Sequence, residues 1–129
     1  MTIGRAMRSS SSGMFAERFR MDTISGNIAN ANSVNTLGRP EVRRQSVILE
    51  GGEGGVKISS VRPDMSPLRT EYDPTHPAAV NGFVTYTNVN PVYEMVDMIG
   101  ASRSYEANLA AFNAAKSMLN AALTIGRAA

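Results

Sequence analysis

A long amphipathic helix pattern sits at each end of this chain, and the two patterns restrict its fold more than anything between them. At the front, Met7, Met14, Met21 and Ile28 recur every seven residues, with Ile3 and Ile24 on the same face. At the back, Met98, Ser102, Tyr105, Leu109, Phe112, Lys116, Leu119 and Leu123 alternate steps of four and three. Such spacing lines one stripe of a helix, and the stripe is stable only against another helix. Two helices from opposite chain ends can pair antiparallel within one subunit, and their remaining apolar faces can meet copies from neighbours.

The first helix is predicted over about residues 5–31. Phe15 and Phe19 lie off the methionine stripe, so a second face is apolar and more than one neighbour is expected. The Ser9-Ser10-Ser11-Ser12-Gly13 run lowers helix propensity at its start. Asn27, Asn30, Asn32 and Asn35 cluster at its end, and Gly38 and Pro40 stop any continuation. The second helix restarts with Asn90 as N-cap and Pro91 at its first position, with Glu94 and Asp97 near the positive end of the dipole. It is expected to run to about Ile125 and to end at Gly126. Ala107, Ala110, Ala111, Ala114, Ala115, Ala121 and Ala122 leave its back smooth for close packing, and Gly100 is an interior weak point worth about 1 kcal/mol.

Between the helices the pattern changes. Val42 with Val47-Ile48-Leu49, and Val56, Ile58 and Val61, read as two extended segments joined by Gly51-Gly52-Glu53-Gly54-Gly55, a predicted β-hairpin. Prolines at 63, 67, 74 and 77 favour a looped path, and Phe83-Val84-Thr85-Tyr86 adds a short strand. About fifty residues of this kind form only a marginal subdomain that leans on the helices. The predicted class is α+β: two long terminal α-helices paired as an antiparallel coiled-coil-like layer, with a small β-rich middle subdomain. The divisions are 1–37 for the N-terminal helix region, 38–88 for the middle and 89–129 for the C-terminal helix.

At 129 residues the length suits one domain, and 43% hydrophobic content argues against wholesale disorder. The net charge is only +2 and the arginines are scattered, so the footprint of a nucleic-acid binder is absent. Arg43-Arg44 is the only adjacent basic pair and reads as solvated or bridging to another subunit. With no cysteine, disulfides, thiolate metal sites and cysteine nucleophiles are excluded. No apolar run suggests a cleavable secretory signal or membrane insertion, so export requires a route that reads neither.

Catalysis finds little support. His76 is the only histidine and sits in a turn-forming Asp73-Pro74-Thr75-His76-Pro77 segment. The glycine-rich stretch 51–55 lacks the spacing of a phosphate cradle. Glu17, Asp22, Glu94, Asp97 and Glu106 read as helix-surface carboxylates, solvated or paired between subunits. No enzyme activity, cofactor or metal is expected.

Several segments carry a family resemblance. Ser12-Gly13-Met14, Glu17-Arg18-Phe19-Arg20-Met21-Asp22 and Ile24-Ser25-Gly26-Asn27-Ile28-Ala29-Asn30-Ala31-Asn32-Ser33 resemble the N-terminal signature of bacterial flagellar rod and hook proteins. Tyr72-Asp73-Pro74-Thr75-His76-Pro77 with Asn81-Gly82-Phe83-Val84 is similar to the middle of the proximal-rod members. So are Glu94-Met95-Val96-Asp97-Met98-Ile99 and Ala101-Ser102-Arg103-Ser104-Tyr105-Glu106-Ala107-Asn108 to their C-terminal block. The signature positions are thus Asn27, Ile28, Ala29, Asn30, Glu94, Met95, Arg103, Tyr105, Glu106 and Asn108. The chain departs from the family in Arg39-Pro40-Glu41-Val42-Arg43-Arg44, where a Gly-Pro-Tyr-Arg-Arg-like segment is usual, and at Thr87, where a proline is usual.

The resemblance implies a structural subunit of the flagellar proximal rod, lying in the basal body on the periplasmic side. It implies export by the flagellar type III apparatus without a cleaved signal, and helical polymerisation that transmits torque. Partners would be copies of itself, other rod proteins and the export apparatus, with no nucleic acid. Residues expected at helix and subunit contacts are Met14, Met21, Ile28, Met98, Tyr105, Leu109, Phe112 and Leu119. Two other readings stay open: a different rod- or hook-type axial protein, and a non-enzymatic helical adaptor module.

Overall fold

A computed structural model describes residues 2–129. Helix α1 spans Ile3–Ala29, and Thr2 caps it by accepting a hydrogen bond from the Arg5 N–H at 3.2 Å. It closes at Asn30, whose side-chain amide donates to the Gly26 carbonyl at 2.9 Å. Helix α2 spans Pro91–Ala128, and the Asn90 side chain accepts from the Val92 N–H at 3.0 Å, as the sequence predicts. The expected stop at Gly126 does not occur, and the helix continues through it to Ala128. One helical glycine costs only about 1 kcal/mol, and the alanines and leucine before it are strong helix formers.

The two helices run antiparallel. Asn27 bonds Glu94 at one end of the contact, and Gly13 lies against Asn108 further along. Equal steps down α1 and up α2 separate these two points. Carried on, this register places Ile3, the start of α1, opposite about Met118. Helix α2 therefore projects beyond α1 from Leu119 onward, about 15 Å of helix at ~1.5 Å per residue. Every residue from Lys116 to Ala129 is exposed.

Strands β2 (Gln45–Gly52) and β3 (Gly55–Pro63) form the expected antiparallel hairpin, with a register shift at Ile48/Leu49. The hairpin lies along α1. Its root is held at Asn27, which exchanges two 2.9 Å bonds with the Gln45 backbone. Its tip is held at Ser12, whose Oγ accepts from the Val56 N–H at 3.0 Å. At the tip, Gly55 has φ +114, and a side chain there would run into Ser12 and Ser9. The serine run thus serves two neighbours at once. Ser9 and Ser12 receive the hairpin, while buried Ser10 and Gly13 turn towards α2.

A second sheet, in the order β1-β5-β4, is wholly antiparallel. Strand β5 (Phe83–Tyr86) matches the sequence reading, but β1 (Val34–Asn35) and β4 (Thr70–Tyr72) were not legible from it. Asn81 (φ 52) and Gly82 (φ 83) make the left-handed pair of a two-residue turn between Val80 and Phe83. Val84 is the centre of this small sheet and is fully buried.

The core is thin. Its buried apolar side chains are Ala16, Ile24, Ala31, Val84, Val89, Ala101 and Ala115, four of them alanines. Larger apolar side chains remain mostly at the surface.

Candidate assembly interface

Helix pairing is built from small and polar side chains. On α2 the contact follows Glu94, Ala101, Asn108 and Ala115 at seven-residue spacing; on α1 it follows Ser10, Gly13, Ala16, Ile24 and Asn27. A Cβ added to Gly13 would meet the Asn108 side chain at 2.7–3.0 Å, so the helices approach closely there. Met14, Met21, Ile28, Met98, Tyr105 and Phe112 are half-buried, flanking this line rather than forming its centre. Leu109 (41%) and Leu119 (39%) are exposed.

At the root of the helix pair the contact becomes a polar joint. Glu94 opens α2 fully buried, at 0% exposure. One of its oxygens accepts from the Asn27 amide at 3.0 Å, and the other accepts from Arg44 Nε. The same guanidinium donates to Asp97 at 3.1 Å and to the Ser46 hydroxyl at 2.9 Å, and lies 3.7 Å from Asp64. Asn88 accepts from the Arg44 N–H at 2.8 Å and donates to the Asp64 carbonyl at 2.9 Å. Both helices, the hairpin and the segment before α2 are thereby tied to one arginine.

Two readings of the sequence are corrected here. Arg44 is neither solvated nor bridging to another subunit, and Glu94 is not a surface carboxylate. Three carboxylates converge on Arg44 within the chain, because the register of α1 on α2 brings the root of β2 onto the first turn of α2. Arg43 is also held internally, by Glu41 at 2.7 Å and by the Ser66 carbonyl at 2.9 Å.

Electrostatics follow the contacts. The hydrogen bond to Glu94 holds the Arg44 guanidinium above its ordinary pKa, against the cost of burial. Hydrogen bonds from Ser66 hold the Asp64 carboxyl below the usual range, and Thr75 does the same for Asp73. With both Glu94 oxygens engaged, the joint holds carboxylate and guanidinium in place and offers no free acid or base. His76 Nδ1 accepts from the Ala78 N–H at 3.1 Å, a turn role. Among the described residues no three side chains are grouped to hold a metal ion, and no helix is long and apolar enough to cross a membrane.

The signature residues fall into three places. Asn27 and Glu94 are in the joint, and Asn108 is at the close approach to Gly13. Asn30 closes α1 beside exposed Ala29, with Ile28 half-buried. Met95, Arg103 and Glu106 face outward, and Tyr105 is half-buried.

The outer surface of α2 is markedly apolar. Val92, Tyr93, Met95, Val96 and Ile99 are exposed near its start. Met118, Leu119, Leu123 (56%) and Ile125 (71%) are exposed near its end. On α1 the only large apolar side chain so exposed is Phe15. Apolar surface concentrated on one element marks a contact with another protein.

Comparison with known families agrees with this geometry. The profile "Flagella basal body rod protein" matches residues 7–35, and "Flagellar basal body rod FlgEFG protein C-terminal" matches residues 80–125. A Borreliella burgdorferi protein, "Flagellar basal-body rod protein FlgC", is 40% identical over 149 aligned positions, covering 97% of this chain and 98% of the relative. Its namesake in Bacillus subtilis is 38% identical, covering 98% of this chain and all of the relative. That of Salmonella typhimurium is 37% identical, covering 90% and 92%. Full-length similarity at this level, on a scaffold of paired terminal helices, places the chain in the FlgC family of flagellar basal-body rod proteins.

Proposed function

We propose that this chain is a subunit of the flagellar proximal rod, exported by the flagellar type III apparatus and polymerised helically to transmit torque. The observation that carries this reading is the division of labour on α2. Small and polar residues face α1, and large apolar residues face outward. A free monomer has no use for the second set, whereas a helical polymer buries it. Each large apolar side chain so buried is worth about 1.5–3 kcal/mol, spread over many contacts that resist shear together.

Met14, Met21, Ile28, Met98, Tyr105, Leu109, Phe112 and Leu119 are the residues we assign to contacts between subunits and along the helix pair. Such a surface, repeated head to tail without closing, generates an open helical assembly. Leu109→Asp tests it. The exposed leucine adds little to the monomer, so the variant is made and folds, while rod assembly and swimming are lost. Normal swimming by that variant overturns the assignment.

A second reading, another axial protein of the rod or hook, is favoured by the FlgEFG profile over residues 80–125. Labelled electron microscopy of basal bodies separates the two by position along the axis. A cytoplasmic helical adaptor would fail to copurify with detergent-extracted basal bodies.

A further inference from the structure

The end of α2 is incomplete as a helix contact. Ala115 is buried against α1, and the same stripe continues through Leu119, Ala122, Leu123 and Gly126 after α1 has run out. Small residues along that stripe leave room for a second helix at close range, as Ala101 and Ala115 do for α1.

Charge on α2 is divided as sharply as its apolar surface. Its acids, Glu94, Asp97 and Glu106, all precede Ala107; beyond that point the only charged side chains are Lys116 and Arg127. The part of α1 beside this end adds Arg5 and Arg8 and no acid. The hairpin tip contributes Glu50, Glu53 and Lys57, of which Glu50 and Lys57 pair with each other at 3.4 Å. The projecting end is therefore apolar and basic.

Resting on the rod reading above, we infer that the last three turns of α2 take up a helix from a different rod chain. That helix continues the line of α1, with an apolar stripe flanked by free carboxylates. A second copy of this chain fits poorly. Its own exposed apolar patch, Val92 to Ile99, has Glu94 and Asp97 already engaged by Arg44, and the next charges, Arg103 and Glu106, cancel. An anionic bilayer fits poorly too, because the stripe is a narrow continuation of a helix seam and only two basic residues of α2 accompany it.

A benzophenone side chain placed at Ile125 tests this in isolated basal bodies, illuminated and separated by mass. The expected product is one adduct between this 13.8 kDa chain and a different rod protein. Its crosslinked peptide should be helical, apolar on one side and carrying at least two carboxylates. Lys116→Glu with Arg127→Glu should lower the adduct yield roughly tenfold, the loss of about 1.4 kcal/mol of charge complementarity. An adduct at twice the chain's mass, a lipid adduct, a crosslinked peptide without carboxylates, or no adduct from incorporated chain overturns the inference while leaving the rod reading intact. Should Ile125 tolerate no replacement, the same probe at Met118 gives the same readout. Absence of even the unsubstituted chain from basal bodies removes the rod reading itself.

Discussion

The two ends of the helix pair are opposites. At the root, polar and charged groups are buried and nearly all have partners inside the chain. At the tip, apolar groups are exposed and have none. The root sets the angle between the helices and the hairpin, a task for directional hydrogen bonds, which tolerate little deviation in geometry. The tip meets other chains, a task for non-directional apolar surface. Stability of the subunit and affinity for neighbours are thus separated along one helix, and substitutions should separate them too.

The largest effect is expected at the root. Arg44→Ala removes the only cation facing Glu94, leaving a fully buried carboxylate with one amide donor. Breaking a buried pair from one side typically costs about 3–5 kcal/mol. Urea denaturation of the purified chain should show a loss of that order. A loss below about 1 kcal/mol would mean that the joint is no more than a surface ion pair and would erase the contrast between the ends. Second comes Gly13→Leu, at the close approach to Asn108, where forcing the helices apart should cost about 1–3 kcal/mol despite the better helix propensity of leucine. Thermal melting reads it directly.

These two sites also show what the sequence made legible. Caps, helix pairing and the hairpin came from local signals: Asn90-Pro91, the seven-residue spacing and the glycine-rich turn. The centre of the helix contact did not, because periodicity marks large apolar residues. Here each helix turns its small residues inward, one position before the methionines of α1 and before Ser102 and Leu109 of α2. Gly13 within a serine run was the available clue; such a helical stretch is costly unless something must come close. The joint was hidden for a different reason. Arg44 and Glu94 are fifty positions apart, and nothing local distinguishes a buried pair from two solvated charges. Two-residue β1 and three-residue β4 exist only as partners of β5, so no run of their own announces them.

A smaller effect, of opposite sign, is expected at Thr87. Its side chain is 2% exposed, and its hydroxyl has no hydrogen-bond partner. The Thr87 N–H donates to the Ser33 carbonyl at 3.2 Å, a bond the proline usual in the family cannot make. Thr87→Val keeps that bond and the shape while removing the orphan hydroxyl. The variant should gain about 1 kcal/mol in urea denaturation. It is the one buried polar group near the root that adds nothing to the joint.

The smallest effect concerns acid. Asp64, which faces Arg44 across the root, has its folded pKa depressed mainly by the Ser66 hydroxyl and N–H. A depressed carboxyl stabilises the fold above its unfolded pKa of about 3.9, and that contribution disappears as pH falls through the lower folded value. Ser66→Ala removes the hydroxyl bond and brings the two values closer together. At pH 7 the variant should be slightly less stable than the parent, and the difference should vanish once pH has dropped below both values. Melting curves between pH 7 and pH 2 give the test. A difference that stays constant across this range would show that Ser66 acts by packing alone. It would also show that the charge balance of the root rests on Glu94 and Asp97 without help from Asp64.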